Sequence, residues 1–267
     1  MKMLVVIDYQ KDFVDGSLGF KGAEKLDSGI AALIREYRDN GDIILVSKDT
    51  HGKGLPYGES REGKALPVPH CIHGSEGWEL YGETGEVVSQ LSDYKNLAIM
   101  EKESFAATEA GVIAALTKTE LDTGMLLSDA NACGIEEIRF VGLVSNICVI
   151  SNMCVLQGMF TESQIVLDAS LTDSFDKRKH LAVLAVAEGL QVRVENKPEI
   201  ALRWGSGNSY STFFYKDILE AAAASGKILA NGGHDVKMYL ANMKKAPDEV
   251  FVEENLIHYT LPGQEMV

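Results

Sequence analysis

The sequence is poor in basic residues, in cysteine and in long apolar runs, and each shortage excludes a class of protein. Lysine and arginine number 25 against 39 aspartate and glutamate residues, giving a formal charge of −14. A field of this sign repels phosphate backbones and anionic lipid, so we expect no nucleic-acid or membrane partner. No apolar run approaches the about 20 residues of a membrane-spanning helix, and we expect no signal peptide. Four cysteines without dense spacing predict free thiols in a reducing, cytoplasmic compartment.

Short, wholly apolar runs alternate with helical patterns through the first three quarters of the chain. We predict strands at Met3–Ile7, Ile43–Val46, Leu97–Met100, Ile138–Leu143, Ile165–Leu167 and Gln191–Val194. Helical patterns lie between them, including Thr123–Cys133 and Ile147–Gln157, and Gly52–Gly77 shows neither period and is predicted to be a long loop. The alternation predicts an α/β fold of three layers, α/β/α, with a mainly parallel, doubly wound sheet.

Beyond residue 197 the pattern changes. Arg203–Asn208 is rich in turn residues, Lys216–Ser225 and Asp235–Lys244 look helical, and Glu249–Val252 resembles a strand. A chain of 267 residues suits one large hydrophobic core with a small addition. We therefore predict a core domain over residues 1–197 and a C-terminal appendage over residues 198–267.

A candidate reactive side chain follows each of the first four predicted strands. These side chains are Asp8, Asp49 with His51, Lys102 and, just past its turn, Cys148. Ligand sites of open α/β sheets lie outside the carboxyl ends of the strands, so we expect the four to meet in one crevice. Singly, they have ordinary interpretations: a turn-capping aspartate, a solvated lysine and a core thiol. Together they supply the nucleophile, the acid/base and the cation that a cysteine hydrolase needs.

Cys148 opens an apolar helix, where most cysteines are inert core thiols. Its place at the helix N-terminus favours the thiolate, because free N–H groups and the helix dipole stabilise negative charge there, and a neighbouring ammonium would add to this effect. Backbone N–H groups of the same turn could receive an oxyanion. Gly142, just before the turn, permits a backbone conformation that a β-branched residue would resist.

One carboxylate and two imidazoles surround the long loop and predict a metal site. Asp49 and His51 are two residues apart on a strand end and project to the same side, and His70 follows at the end of the loop. Glu62 and His73 are both candidates for a further ligand, and we favour Glu62 because it is an oxygen donor within the loop. Such a donor set suits zinc first, and also manganese or iron.

Four segments together resemble the isochorismatase-like cysteine hydrolases, and within them the nicotinamidase branch. The similarity extends from Met3 to about Asn196. It rests on the segments Leu4–Phe13, Asp49–His51 with Pro69–Cys71, Glu101–Phe105 and Val141–Val149. The resemblance implies hydrolysis of a small, non-peptide carboxamide, with nicotinamide converted to nicotinate and ammonia in the salvage of NAD precursors. It also implies a homo-oligomer, as family members commonly form.

The resemblance also implies a role for each matching residue. Cys148 would attack the carboxamide carbon and form a thioester, Asp8 would carry protons, and Lys102 would stabilise the ionised groups. The N–H groups of Val144 and Cys148 would hold the oxyanion, next to a cis peptide expected between Leu143 and Val144. Phe13 would form a wall against the substrate ring. In the nicotinamidase branch the metal holds the pyridine nitrogen, so Asp49, His51, His70 and Glu62 would orient the substrate.

Some positions depart from the pattern of the branch and leave two alternatives open. Tyr57, Glu59 and Glu62 stand in the metal loop where another histidine is common. Pro67 lies near the usual place of a pocket tryptophan, and Asn146 replaces an aspartate before the nucleophile. The first alternative is a cysteine hydrolase of another small amide or carbamoyl compound. The second is a non-catalytic scaffold on which the C-terminal appendage is an interaction module.

Overall fold

The computed structural model describes residues 1–119, 134–206, 209–215, 220–221, 223–224, 236–241 and 251–255. Its larger sheet has six strands in the order β3-β2-β1-β4-β5-β6, and each neighbouring pair is parallel. The strands are β1 (Lys2–Ile7), β2 (Ile43–Asp49), β3 (Leu97–Lys102), β4 (Glu137–Leu143), β5 (Gln164–Asp173) and β6 (Arg193–Glu195). The predicted parallel sheet is confirmed.

Helices cover both faces of this sheet. The helices of the described residues are α1 (Lys11–Val14), α2 (Asp27–Asp39), α3 (Arg61–Ala65), α4 (Gly82–Gln90), α5 (Glu109–Leu116), α6 (Ile150–Met159) and α7 (Lys177–Gly189). Buried residues of α1, α2 and α4 share one apolar cluster with the sheet, and those of α5, α6 and α7 share the other. The three layers that the alternation predicts are therefore present.

Strand β1 shows why both faces must be covered. Met3, Val5 and Ile7 lie in the cluster on the α5–α7 side, whereas Leu4 and Val6 lie in the cluster on the α2 side. All five are fully buried. Successive side chains of a strand point to opposite faces, so a wholly apolar run requires a helix layer on each side.

Several elements differ from the prediction in their limits. Strands β2 and β3 run on to Asp49 and Lys102, because the polar side chains at their ends are buried at the sheet edge. The long loop contains helix α3 and a 3-10 turn at Tyr57–Glu59, both too short to show a period. Helix α4 was not predicted. The predicted helix Thr123–Cys133 lies outside the described residues.

The C-terminal residues form a second, antiparallel sheet in the order β10-β9-β7-β8. Its strands are β7 (Glu199–Ser206), β8 (Ser209–Tyr215), β9 (Val236–Ala241) and β10 (Phe251–Asn255). Two predictions were wrong here, since Arg203 to Ser206 continues a strand and 236–241 is a strand, not a helix. Both segments pair in register, with Trp204 opposite Ser211 and Val236, and ladder bonds to neighbouring strands override the local preference.

Described residues of the C-terminal segment pack against the main core. Ile200 and Ala221 are buried in the apolar cluster on the α5–α7 side, and Ala224 packs against it. Among the residues described, no helix combines the length and the apolar character needed to cross a membrane.

Candidate active site

The strand order brings the predicted reactive residues to one edge of the sheet. Asp8 follows β1, Asp49 and Lys102 end β2 and β3, and Cys148 lies in the turn after β4. These four strands are neighbours in the sheet, and the direction of strand addition reverses between β1 and β4. A crevice forms at such a switch point because the connections on either side lead away to opposite faces.

Lys102 lies at the centre of this group. Its Nζ is 2.6 Å from Asp8 Oδ2, 3.3 Å from Asp49 Oδ1 and 3.7 Å from Cys148 Sγ. The lysine side chain is only 3% exposed, so the ammonium has exchanged its water for these three partners. The predicted meeting of sulfur, carboxylate and ammonium is present in the structure.

Burial and charge set the protonation of the three groups. Burial raises the pKa of the Asp8 carboxyl, and Lys102 acts in the opposite direction. Burial alone would lower the pKa of the Lys102 ammonium, but Asp8, Cys148 and Asp49 raise it. Burial also raises the pKa of the Cys148 thiol, with Lys102 opposing and Asp8 adding to the rise. Burial and Asp8 thus oppose ionisation of the Cys148 thiol, which the helix N-terminus was expected to favour.

Asp8 is held in a strained but well-bonded conformation. Its φ of 45° lies in the left-handed region, which costs a non-glycine residue about 1 kcal/mol or more. Ser47 on the neighbouring strand compensates, because its Oγ donates to Asp8 Oδ1 at 2.6 Å and accepts from the Asp8 N–H at 3.2 Å. The carboxylate therefore points at Lys102 in one fixed orientation.

The turn that carries Cys148 has unusual backbone geometry. The Leu143–Val144 peptide is cis, as the resemblance implies, and Ser145–Val149 forms a single π turn before α6. Gly142 has a φ of 106°, and a Cβ there would lie 2.1 Å from the carbonyl oxygen of Ile7. Only glycine permits this close approach of β4 to β1, which brings the nucleophile turn next to Asp8.

The predicted metal ligands also converge. Asp49 Oδ2 lies 3.0 Å from His51 Nε2 and 3.4 Å from His70 Nε2. Glu62, on α3, has its two carboxylate oxygens 3.6 Å from His70 Nε2 and 4.0 Å from His51 Nε2. Ligand atoms of Asp49, His51 and His70 all lie within 4.8 Å of one another, and the three residues are buried. His73 is not a member of this group, and its ring lies 4.8 Å from that of Trp78.

The chemistry of this cluster fits a divalent cation. Hydrogen bonds from His51 and His70 hold the pKa of the Asp49 carboxyl below its ordinary value, although burial acts to raise it. Burial acts to lower the pKa of His70, but hydrogen bonds with Asp49 and Glu62 raise it to about 10. Two carboxylates and two imidazoles thus favour a positive charge between them. His70 Nδ1 bonds the Val68 carbonyl at 2.9 Å, which leaves Nε2 as its ligand atom.

Aromatic rings enclose the metal cluster. The Phe13 ring, which was predicted as a wall, has its centroid 5.5 Å from that of His70 and is almost fully buried. The Tyr57 ring stands edge-on to both histidines, at 5.1 Å from His51 and 5.2 Å from His70. Tyr57 therefore packs against the ligand rings and fixes their tilt.

Two buried carboxamides near the site were not predicted. Gln10 Nε2 donates to the carbonyls of Asp49 and Trp78, and its Oε1 accepts from the Asp49 N–H at 2.8 Å. Asn152 makes a comparable set of bonds next to Cys148. The sequence gives little indication of these roles, because Gln10 and Asn152 hydrogen-bond backbone groups that lie far away along the chain or one helical turn back.

The isochorismatase domain model matches residues 2–196 of this chain. The chain belongs to the isochorismatase family. This confirms the predicted family and makes the protein a hydrolase of a non-peptide amide. An uncharacterised isochorismatase family protein, PncA of Bacillus subtilis, is 32% identical over 153 residues, which are 56% of this chain and 74% of the relative.

Solved structures of isochorismatase-like enzymes share the fold. The nicotinamidase PncA from Bacillus subtilis is 26% identical, with a TM-score of 0.58, and the match covers 72% of this chain and 98% of that enzyme. The pyrazinamidase of Pyrococcus horikoshii, solved in complex with zinc, is 17% identical, with a TM-score of 0.52 over 72% of this chain and 97% of that enzyme. The second likeness is evidence of fold alone.

Proposed function

We propose that the protein is a nicotinamidase, which hydrolyses nicotinamide to nicotinate and ammonia through a thioester on Cys148. One observation carries this proposal: a buried cysteine, aspartate and lysine, in contact through Lys102 Nζ, lie beside a buried cluster of two imidazoles and one carboxylate, with the partly buried Glu62 next to the imidazoles. The likeness to the Bacillus subtilis nicotinamidase supports the choice of substrate.

The first half of the reaction forms the thioester. Asp8, whose raised pKa makes it a competent base, takes the thiol proton as Cys148 Sγ attacks the carboxamide carbon. The N–H groups of Val144 and Cys148 stabilise the oxyanion that forms. The C–N bond then breaks as Asp8 passes its proton to the departing ammonia.

The second half returns the enzyme to its resting state. Asp8, again ionised, takes a proton from water, and the hydroxide attacks the thioester carbon. The C–S bond breaks, the proton held by Asp8 returns to the sulfur, and nicotinic acid leaves and loses its proton to solvent as nicotinate. Lys102 remains a cation throughout and offsets the negative charge that moves between Asp8 and Cys148.

A single divalent metal ion held by Asp49, His51, His70 and Glu62 would supply a Lewis-acid position for the pyridine nitrogen, with zinc the first candidate. The protein's own residues orient the ring around that position. Phe13 and Tyr57 flank the histidines and exclude water from the ring side of the pocket. Orientation of this kind brings the carboxamide carbon to the sulfur and lowers the entropic part of the barrier.

Ammonia release from nicotinamide tests the proposal. The metal-loaded protein should release one ammonia per nicotinate, and Cys148→Ala should lose this activity while it keeps its thermal midpoint. Benzamide, in which carbon replaces the ring nitrogen, should react far more slowly than nicotinamide. If the folded, metal-loaded protein hydrolyses another amide and leaves nicotinamide intact, nicotinamide is not the substrate and the proposal is wrong.

A further inference from the structure

A buried asparagine on the apolar helix α6 is unexplained by the chemistry above. Asn152 is fully buried, and its neighbours Met153 and Leu156 belong to the core. Asparagine disfavours helix interiors, and a buried carboxamide must be hydrogen-bonded to offset the loss of water. An apolar side chain would suit this position better if packing were its only role.

The carboxamide of Asn152 joins two backbone segments of the active site. Its Nδ2 donates to the carbonyl of Cys148 at 2.7 Å and to the carbonyl of Phe105 at 2.9 Å, and its Oδ1 accepts from the N–H of Ala107 at 2.8 Å. All three partners are backbone groups. One side chain therefore connects the nucleophile turn to the loop that follows β3.

The segments joined in this way carry Lys102 and the proposed nucleophile, Cys148. Phe105 lies three residues after Lys102, at the exit of β3, and Cys148 lies one helical turn before Asn152. Lys102 Nζ and Cys148 Sγ are 3.7 Å apart, although Lys102 ends β3, Cys148 lies in the turn after β4, and these two strands are not adjacent in the sheet. The hydrogen bonds of Asn152 join the two segments directly and can therefore fix the distance between Lys102 Nζ and Cys148 Sγ.

We propose that Asn152 is a positioning residue, which holds the nucleophile turn and the exit of β3 in register so that Cys148 Sγ stays within reach of Lys102. The role rests on the proposed cysteine chemistry, but not on nicotinamide as the substrate. Asn152 touches neither substrate nor the reacting atoms, and it acts only through the backbone of Cys148, Phe105 and Ala107. Misplacement of reacting groups by about 1 Å costs on the order of a hundredfold in rate.

The test compares Asn152→Ala with Met153→Ala in the full-length protein. Met153 is the next residue of the same helix and is fully buried, so its truncation weakens the core without removing a side-chain hydrogen bond. Two quantities are measured: the rate at which iodoacetamide labels Cys148, followed on its peptide by mass spectrometry, and kcat and KM for nicotinamide. Thermal midpoints of both variants show that they are folded.

Asn152→Ala should slow the labelling of Cys148 and lower kcat by about tenfold or more, with KM within about threefold of wild type. Met153→Ala should keep both rates near wild type despite a similar loss of thermal stability. If Asn152→Ala does not fold, Asn152→Ser is measured against the same control.

The proposal would be overturned if a folded Asn152 variant were labelled at Cys148, and hydrolysed substrate, as fast as wild type. It would also be overturned if Met153→Ala lost as much labelling rate and kcat as the Asn152 variant. Failure of the wild-type protein to hydrolyse nicotinamide would refute the proposed substrate instead. The labelling rate would still decide the role of Asn152 in that case.

Discussion

At the scale of single residues, the charge balance of the site depends on Lys102. Among the described residues, the ammonium is the only cation within 4 Å of the Asp8 carboxylate, and it also contacts Asp49. Two buried carboxylates beside a thiol would repel each other without it. The desolvation of these groups is tolerable because the lysine is always charged.

Replacement of Lys102 by methionine should therefore cost about 3–5 kcal/mol of unfolding free energy and remove activity, because the two carboxylates lose their counter-charge. Urea unfolding and ammonia release measure the two effects. Lys53→Met is the matched control, since Lys53 pairs with Glu101 at the surface, and it should change stability by less than about 0.5 kcal/mol. Equal effects of the two substitutions would contradict this account of Lys102.

His180 predicts how stability depends on pH. The imidazole is buried behind the nucleophile turn, with Nδ1 3.1 Å from Ser145 Oγ, and burial lowers its pKa to about 4. Between about pH 4 and 6.5 the unfolded chain binds the proton and the folded chain does not, so stability falls as pH falls through this window.

His180→Gln should remove this part of the pH dependence. Between pH 7 and pH 4 the unfolding free energy of wild type should fall by up to about 3 kcal/mol more than that of the variant. Above pH 7 the difference in unfolding free energy between the two proteins should be constant. Urea unfolding at a series of pH values gives the comparison. Parallel pH profiles over the whole range would show that His180 is not held neutral.

At the scale of elements, the contact between β1 and β4 positions Asp8 next to the turn that carries Cys148. Gly142 pairs with Ile7 in the parallel ladder, and a side chain there would collide with the Ile7 carbonyl. Asp8 follows Ile7, and the cis peptide follows Gly142 by one residue. A displacement between these strands would therefore move the base away from the nucleophile.

Gly142→Ala should destabilise the protein by about 3 kcal/mol or more and abolish turnover, because positive φ and steric overlap act together. Gly41→Ala separates the two causes. Gly41 has a φ of 75° with no atom within 4 Å of an added Cβ, so we expect a loss of about 1 kcal/mol and full activity. A Gly142 variant as stable and active as the Gly41 variant would exclude the proposed close approach.

Elements were predictable where burial was continuous along the chain. The apolar runs of β1, β2 and β4 allow only a covered strand, and they were predicted to within a few residues. Helix α4 was missed because glycine and threonine interrupt its short buried face. The strand β9 was predicted as a helix, since its ladder bonds to β7 depend on residues more than thirty positions away. Local pattern carries no information about such pairing.

At the scale of the whole molecule, the candidate metal joins separate parts of the fold. Its ligands come from β2, α3 and the end of the long loop. A ligand that binds only the folded state stabilises it by about 2.7 kcal/mol at a hundredfold excess over its Kd. The loaded protein should therefore unfold about 5–10 °C above the chelator-treated protein.

Differential scanning calorimetry with chelator, and then with zinc or manganese added back, measures this shift. The variant His70→Ala should show little response to either metal, and metal analysis should find about one ion per wild-type chain. Identical midpoints with and without metal, together with no bound ion, would exclude the site.

The sequence was sufficient to predict which side chains meet in the crevice, because the carboxyl ends of adjacent parallel strands must share one edge. It was not sufficient to predict the pKa shifts of these side chains or the buried residues that hydrogen-bond the backbone around them. The Cys148 thiol was expected to ionise at a helix N-terminus, but full burial and the nearby Asp8 raise its pKa. Gln10 and Asn152 act through backbone partners that only the folded chain brings near. Effects of this kind depend on three-dimensional proximity.

The central claim is that Cys148 becomes covalently acylated during turnover. Acid quenching of the metal-loaded enzyme within its first turnovers of nicotinamide, followed by mass spectrometry of the digested protein, tests this most directly. We expect a nicotinoyl group on the peptide that carries Cys148, and its loss on treatment with hydroxylamine. Steady release of nicotinate with no adduct on that peptide, and unchanged release by Cys148→Ala, would contradict the account.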